Sequence, residues 1–590
     1  MDWIKKELRD EIDFVVWTGD SARHDNDEVY PRSEKQVVGL NDLIVQKFFE
    51  VFGKHNGDEE DEDPNNDYII PIIPTFGNND ILPHNIFRQG PNKWTRIYTK
   101  VWRQFIPEVQ RHQFEQGGWF YVEVIPGKLA VFSLNTLYFF TSNAAHDGCA
   151  LPSEPGYQQM EWLRIQLQFM RDRGMKVILT GHVPPTREES KTSWDETCWQ
   201  KYTLWLRQYR DIVITSLYGH FNYDHFILQD FEDVRKGTRK GRMPDYNRED
   251  LDEDEEFNAL DKAEYFVQLR DRWSQMPKPP KSVSWVESIQ NELDEVRKNG
   301  LSFLHAKKFL ATILKSKKKK RKQYFNDIGG EYAERYAASF ISASVVPNLY
   351  PALRVFEYNI SGLDGGSDSE TGPRASLPAE ATLASHSEEG LRRRKKHKNK
   401  KGKKKYKFEV PEPPSKSSPP GPAYSPQTLS LTRYTQYLAN LTHINNDFAT
   451  LSDSETNDYD HVNATGWKPG KHKGKKPHDK DHEPAPRKFK YEVHYDTRDD
   501  DVYQLKDLTM RSLVDLATRI GQFKPEHKGI ADGSERQPSN CGLDSSSKKH
   551  KKHEQKRKSR RKMNEPWFTF VRRAFVETLS EEELHDEFGS

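Results

Sequence analysis

Gly19-Asp20-Ser21-Ala22-Arg23-His24-Asp25, Gly77-Asn78-Asn79-Asp80, Gly181-His182 and Gly219-His220-Phe221-Asn222 are four short motifs in the first 225 residues of this chain. Each follows a short apolar run: Phe14-Val15-Val16-Trp17, Ile69 to Phe76, Val177-Ile178-Leu179, and Ile212-Val213-Ile214. Apolar runs of this length, ended by glycine, read as buried strands running into tight turns. The turns carry carboxylate, amide and imidazole groups, the donors that divalent metals of the zinc, manganese or iron type accept. Taken singly, Gly19-Asp20 is an ordinary strand-end turn, Gly77-Asn78-Asn79-Asp80 is an Asn/Asp turn, and a lone histidine is more often structural than ligating. The succession of four at strand ends points to a metal site at the carboxyl edge of a sheet.

Outward from these motifs, residues 1 to about 230 alternate strand and helix signals. Asp2 to Glu11 reads as a short amphipathic helix before the strand Ile12 to Thr18. Residues 121–125 and 130–137 read as strands. Met160, Leu163, Leu167 and Met170 recur at helical spacing, with Gly174 placed to end the helix. Strand Lys176 to Thr180 follows. A tryptophan-rich helix, about Thr197 to Arg210, leads into strand Ile212 to Ser216. This predicts an α/β fold, a layered sheet flanked by helices.

Of the 590 residues, 31% are charged and only 34% hydrophobic, too few apolar residues for the whole chain to fold into a core. The net charge of +1 conceals segregation into acidic blocks (Asp58 to Asp63, Asp252 to Glu256) and basic ones (Lys317 to Lys322, Arg392 to Lys407, Lys468 to Lys476, Lys548 to Lys562). The expected organisation is a catalytic domain over 1–360 with a charged insertion at about 231–335. A disordered basic linker over 361–430 follows, then a part over 431–522 that packs on the catalytic domain. A basic tail over 523–590 ends in an aromatic-basic patch, Trp567 to Phe575. Strand character returns at Phe340 to Val346 and Leu353 to Tyr358, and Asp507 to Ile520 reads as a helix. The basic runs read as solvated linkers, open to proteolysis. Of three cysteines, Cys149 and Cys198 permit a disulfide without demanding one. No run of about 18 apolar residues is present. Sequons stand at Asn359, Asn440 and Asn463.

The order GD…GN…GH…GHx(H/N) resembles the calcineurin-like metallophosphoesterases, whose fold is a layered β-sandwich flanked by helices. The wording GDSARHDND, GNND and GHFNYDHF, with SASVVPNLYPALRVFEYN at 342–359 and the basic tail, is similar to the fungal vacuolar endopolyphosphatases of the acid-sphingomyelinase-like branch. The resemblance covers about 1–230 and 340–360 well, 431–522 moderately and WFTFVRRAF weakly. It implies two divalent metal ions (Mn, Co, Zn or Mg), with Asp20 as bridging carboxylate and Asn78, His182 and His220 on the second metal. Asn222 stands where relatives keep a histidine for the first metal. Asn79 stands where many relatives keep a histidine that steers the leaving group, and is carried as a catalytic candidate. His24 is the candidate at the substrate phosphate, in a catalytic and substrate-binding role. His225 is a further substrate-binding candidate, and Asp224 a supporting one. The family opens with Asp-x-His on its first strand; that motif and a membrane anchor are expected upstream of Met1.

The resemblance further implies cleavage inside inorganic polyphosphate chains, and polyphosphate rather than nucleic acid as the polyanion bound. It implies maturation by vacuolar proteases, glycosylation, and a vacuole lumen or single-pass vacuolar-membrane location with the catalytic domain lumenal. The alternatives are a phosphodiesterase of the acid-sphingomyelinase type, disfavoured by the few cysteines, and a non-catalytic polyanion-binding form lacking the first metal site.

Overall fold

The computed structural model describes residues 1–24, 29–54, 64–234, 259–280, 315, 318–345, 349–363, 408–415, 417–445, 486–525 and 561–589. In chain order its strands are β1 (Val15–Trp17), β2 (Ile72–Pro74), β3 (Phe120–Ile125), β4 (Leu129–Ser133), β5 (Lys176–Thr180), β6 (Arg187–Glu188), β7 (Lys191–Thr192), β8 (Val213–Tyr218), β9 (His225–Asp230), β10 (Tyr336–Ile341), β11 (Ala352–Tyr358), β12 (Leu431–Leu438) and β13 (Glu492–Asp496).

Six of these form the principal sheet, in the order β3-β4-β5-β8-β10-β9. The four central strands run parallel, with an antiparallel strand at either edge. Their near-continuous apolar sequences follow from burial on both faces. Helix Pro155–Asp172 connects β4 to β5, and Glu196–Gln208 lies between β5 and β8. The first buries Met160, Leu163, Leu167 and Met170, the stripe visible in the sequence. β1 and β2 form a separate parallel pair, joined to the main sheet where Ser133 Oγ donates to Pro74 O at 2.6 Å. Helix Glu34–Phe52, opened by a Ser33/Gln36 capping box, covers this pair with Val45, Phe48 and Phe52.

β11, β12 and β13 make an antiparallel sheet that meets the principal one through Phe340, Phe356 and Tyr434, with ring centroids 5.4–6.0 Å apart. Its strands come from either side of residues 364–407, so two distant parts of the chain share one layer.

Two sequence expectations need correcting. Residues 408–415 and 417–430, assigned to the linker, pack on the fold: Phe408 meets Trp205 at 5.7 Å, and the buried Tyr424 donates to Tyr336 O at 2.9 Å. Residues 561–574, assigned to the tail, form a helix whose Trp567, Phe570, Val571 and Ala574 are buried in the principal core. Strand bounds also move. The strand expected at Phe340 to Val346 runs instead from Tyr336 to Ile341, set by its pairing with β8 and β9. Asn463 and most of the basic blocks lie outside the described residues.

Candidate metal centre

Backbone geometry assembles the site before any side chain does. Gly19 (φ 86°) and Gly77 lie against each other where β1 and β2 end. A Cβ on Gly77 would fall 2.2 Å from both the backbone nitrogen and Oδ1 of Asp20, so only glycine fits. Asp20 itself takes a left-handed φ of 60°, and His220 one of 69°. Such backbone in non-glycine residues persists where surrounding contacts enforce it.

The contacts doing so centre on Asp80. Its carboxylate accepts from the backbone nitrogens of Asp20 (2.8 Å), Ser21 (2.9 Å), Ala22 (3.2 Å) and Gly77 (3.0 Å), and from Asn41 Nδ2 (3.0 Å). Tyr98 OH donates to its carbonyl at 2.7 Å. Burial, and then the Asp20 charge, push the Asp80 carboxyl above its ordinary value. One buried anion thus holds the first two motif loops together.

On this frame the predicted ligands converge. Asn78 Oδ1 lies 2.8 Å from His182 Nε2 and 2.9 Å from His220 Nδ1, and the two imidazole nitrogens are 3.3 Å apart. Asp20 Oδ2 is 3.0 Å from His182 Nε2. The ligand atoms of Asp20, His182 and His220 all lie within 4.8 Å of one another. His182 Nδ1 donates to Thr18 O at 2.6 Å, which turns Nε2 inward as the lone-pair atom. His182 O in turn accepts from Gly219 N at 3.0 Å, joining the third loop to the fourth.

The charges follow from this packing. Burial opposes ionisation of Asp20, but His182 and then His220 hold its carboxyl well below the ordinary range. Burial opposes charge on His182, yet Asp20 raises it. Burial drives His220 well below its usual value, with His182 adding to the effect. An amide oxygen, a carboxylate and two imidazoles are thus directed at one point. That donor set fits a divalent metal.

The other candidates are placed differently. Asn79 donates from its backbone to Asp20 Oδ1 (2.8 Å) and from Nδ2 to Asp20 Oδ2 (2.9 Å). Its amide nitrogen is committed to orienting the carboxylate rather than a leaving group, and its buried Oδ1 has no hydrogen-bond partner among the described residues. Asn222 is half-buried with φ 62°, and no hydrogen bond joins it to the four converging side chains. His24 is exposed and packs edge-on against His84, 5.3 Å between centroids.

His225 corrects the substrate-binding expectation. It is buried, its Nδ1 donates to Tyr223 O at 3.0 Å, and its Nε2 accepts from Tyr265 OH at 2.9 Å. Both nitrogens are satisfied in the neutral ring, which makes it a packing residue. Asp224, also buried, pairs with Arg354 and accepts from Tyr495 OH at 2.5 Å. Its backbone nitrogen donates to Ala574 O at 3.1 Å. The fourth motif loop is therefore braced by β11, β13 and the helix at 561–574. Sequence reading gave no role to Asp80, Asn41, His84 or Asn85, although three of them stand within seven residues of Asn78.

The calcineurin-like phosphoesterase family matches residues 1–223, the span that carries all four motifs. The chain is 46% identical to the endopolyphosphatase of Neurospora crassa over 90% of its own length and 71% of that protein's. The chain belongs to the endopolyphosphatase family of calcineurin-like phosphoesterases. It is 36% identical to the endopolyphosphatase of Saccharomyces cerevisiae, over 89% of this chain and 75% of the relative, and 32% identical to that of Schizosaccharomyces pombe, over 89% and 73%. This makes the chain a metal-dependent hydrolase of phosphate bonds, with the converging Asp20, Asn78, His182 and His220 as its candidate centre.

Proposed function

We propose that the protein cleaves phosphoanhydride bonds inside inorganic polyphosphate, giving shorter polyphosphates, at a centre of two divalent metal ions. Asp20, Asn78, His182 and His220 would hold the second metal, with Asp20 shared between the two. The observation that carries this reading is Asn78 Oδ1 set between His182 Nε2 and His220 Nδ1, in a member of the endopolyphosphatase family. Bound there, divalent cations supply Lewis-acid polarisation of phosphoryl oxygens and lower the pKa of water.

The residues of the chain contribute orientation and charge. Asn79 fixes both oxygens of Asp20 through two hydrogen bonds and keeps the carboxylate deprotonated and aimed. Thr18 O holds the His182 proton on Nδ1. His24, at the outer edge of the site, meets the substrate phosphate. A polyphosphate leaving group is itself a stabilised phosphate anion and needs little proton donation, which suits an asparagine at position 79.

Further features of this reading are a vacuolar lumenal location, attachment to the vacuolar membrane, and maturation by vacuolar proteases within the basic segments. The disulfide between Cys149 and Cys198 supports an oxidising compartment. Among the described residues no helix is long and apolar enough to cross a membrane. Of the sequons, Asn440 uses its Oδ1 to accept from His443 N, while Asn359 Nδ2 is bonded to Gln427 O at 3.2 Å. Asn440 is therefore the better glycan acceptor of the two.

Activity of His182→Ala and His220→Ala on long-chain polyphosphate tests the centre. Each is expected to lose at least about a thousandfold in kcat/KM, as removal of a metal-dependent barrier reduction requires. Native rates in either variant would exclude these histidines as ligands.

A further inference from the structure

Among the converging groups, Asn78 alone presents a side chain with two unlike ends. A carboxamide offers an oxygen to a cation, but turned by half a rotation it offers an NH2 that binds none. Its direction must therefore be set by what the nitrogen touches. Asn78 Nδ2 stands 2.8 Å from His84 Nε2 and donates to Asn85 Oδ1 at 3.0 Å. Because an amide nitrogen only donates, His84 receives this bond on a lone pair, with its ring proton on Nδ1. Both amide hydrogens are thereby used on the two residues after Pro83, and Oδ1 faces His182 and His220.

The loop that delivers these acceptors is itself fixed. Asn85 adopts φ 66°, and its backbone nitrogen closes on Asn78 O at 3.4 Å. The His84 ring also abuts His24, 5.3 Å between centroids. One imidazole thus touches a proposed metal ligand through its nitrogen and the proposed phosphate-binding residue through its ring.

We propose that His84 and Asn85 are positioning residues that hold the Asn78 carboxamide with its oxygen toward the metal centre. The inference rests on Asn78 being a ligand there. Loss of either acceptor frees the amide to turn and sets an N–H donor against His182 and His220, where a cation belongs. Outer partners of metal ligands characteristically contribute ten- to a hundredfold to metal affinity.

Isothermal titration of Mn²⁺ into the full chain, with thermal unfolding followed in parallel, tests this. His84→Ala is expected to bind Mn²⁺ about ten- to a hundredfold more weakly at little cost in Tm. His84→Gln, whose side-chain oxygen can accept the same hydrogen bond, should stay within about threefold of the native affinity. Asn85→Ala should resemble His84→Ala and serves if that variant does not fold. Polyphosphate turnover by His84→Ala should recover at saturating Mn²⁺. Native Mn²⁺ affinity in His84→Ala, or equal losses in the Ala and Gln variants, would overturn the proposal. Failure of the unsubstituted protein to bind Mn²⁺ or Zn²⁺ would instead overturn the metal-centre reading beneath it.

Discussion

Asp80 is the residue on which the site's geometry depends most, although it binds no metal in this account. It accepts five N–H donors and sits wholly buried. Asp80→Asn turns one acceptor oxygen into a donor facing donors. Urea unfolding should show a loss of about 3 kcal/mol, with metal affinity falling in step because Asp20 and Asn78 stand on the loops it joins. His225 makes a second prediction. Burial pushes its imidazole down to about 4 from an ordinary value of 6.5. Between those values the unfolded chain binds a proton that the folded chain refuses. Stability is complete above pH 6.5 and falls as pH drops toward 4, by about 3 kcal/mol. His225→Gln should flatten that part of the stability-against-pH curve. The four motifs were legible in the sequence because each is local. The distant partners of their carboxylates and imidazoles were not, since Asn41 lies 39 residues from Asp80 and Thr18 lies 164 residues from His182.

Strands ending in motif loops, the elements that matter most here, were legible because each carries a short apolar run; Lys176–Thr180 has the bounds expected of it. The helix at 561–574 was misread because its basic lead-in resembles a solvated tail. Its spacing of Trp567, Phe570, Val571 and Ala574 is helical, but the face it covers, Phe226 and Trp273, lies about 300 residues away in sequence. This helix should be part of the working enzyme. A chain ending at residue 560 would forfeit about 2–3 kcal/mol for each large apolar side chain removed. It would also free Asp224 from Ala574, and should show neither cooperative unfolding nor polyphosphate hydrolysis. Retained activity would show that the fourth motif loop stands without this brace. The Cys149–Cys198 disulfide ties the loop before helix Pro155–Asp172 to helix Glu196–Gln208, across 49 residues. Cys198→Ser should cost about 4 kcal/mol by the loop-closure estimate, measurable as a lower urea midpoint.

Among the described residues, the principal hydrophobic core draws on residues from the N-terminal helix to Phe588. The long charged segments interrupt the sequence without dividing that core. Composition predicts too few apolar residues for the whole chain to fold into a core. It could not show that the segments beyond the basic runs return to complete it, because such returns depend on contacts between distant residues. Internal cutting of polyphosphate is assigned to the metal centre that this core presents. It is tested most directly by resolving the chain lengths of long polyphosphate on a gel during digestion, with Mn²⁺, with chelator, and with His182→Ala. The whole length distribution is expected to shift downward through intermediate sizes before orthophosphate accumulates, only with metal, and not in the variant. Release of orthophosphate alone from chains that stay long, or cleavage indifferent to chelator and to His182, would contradict it.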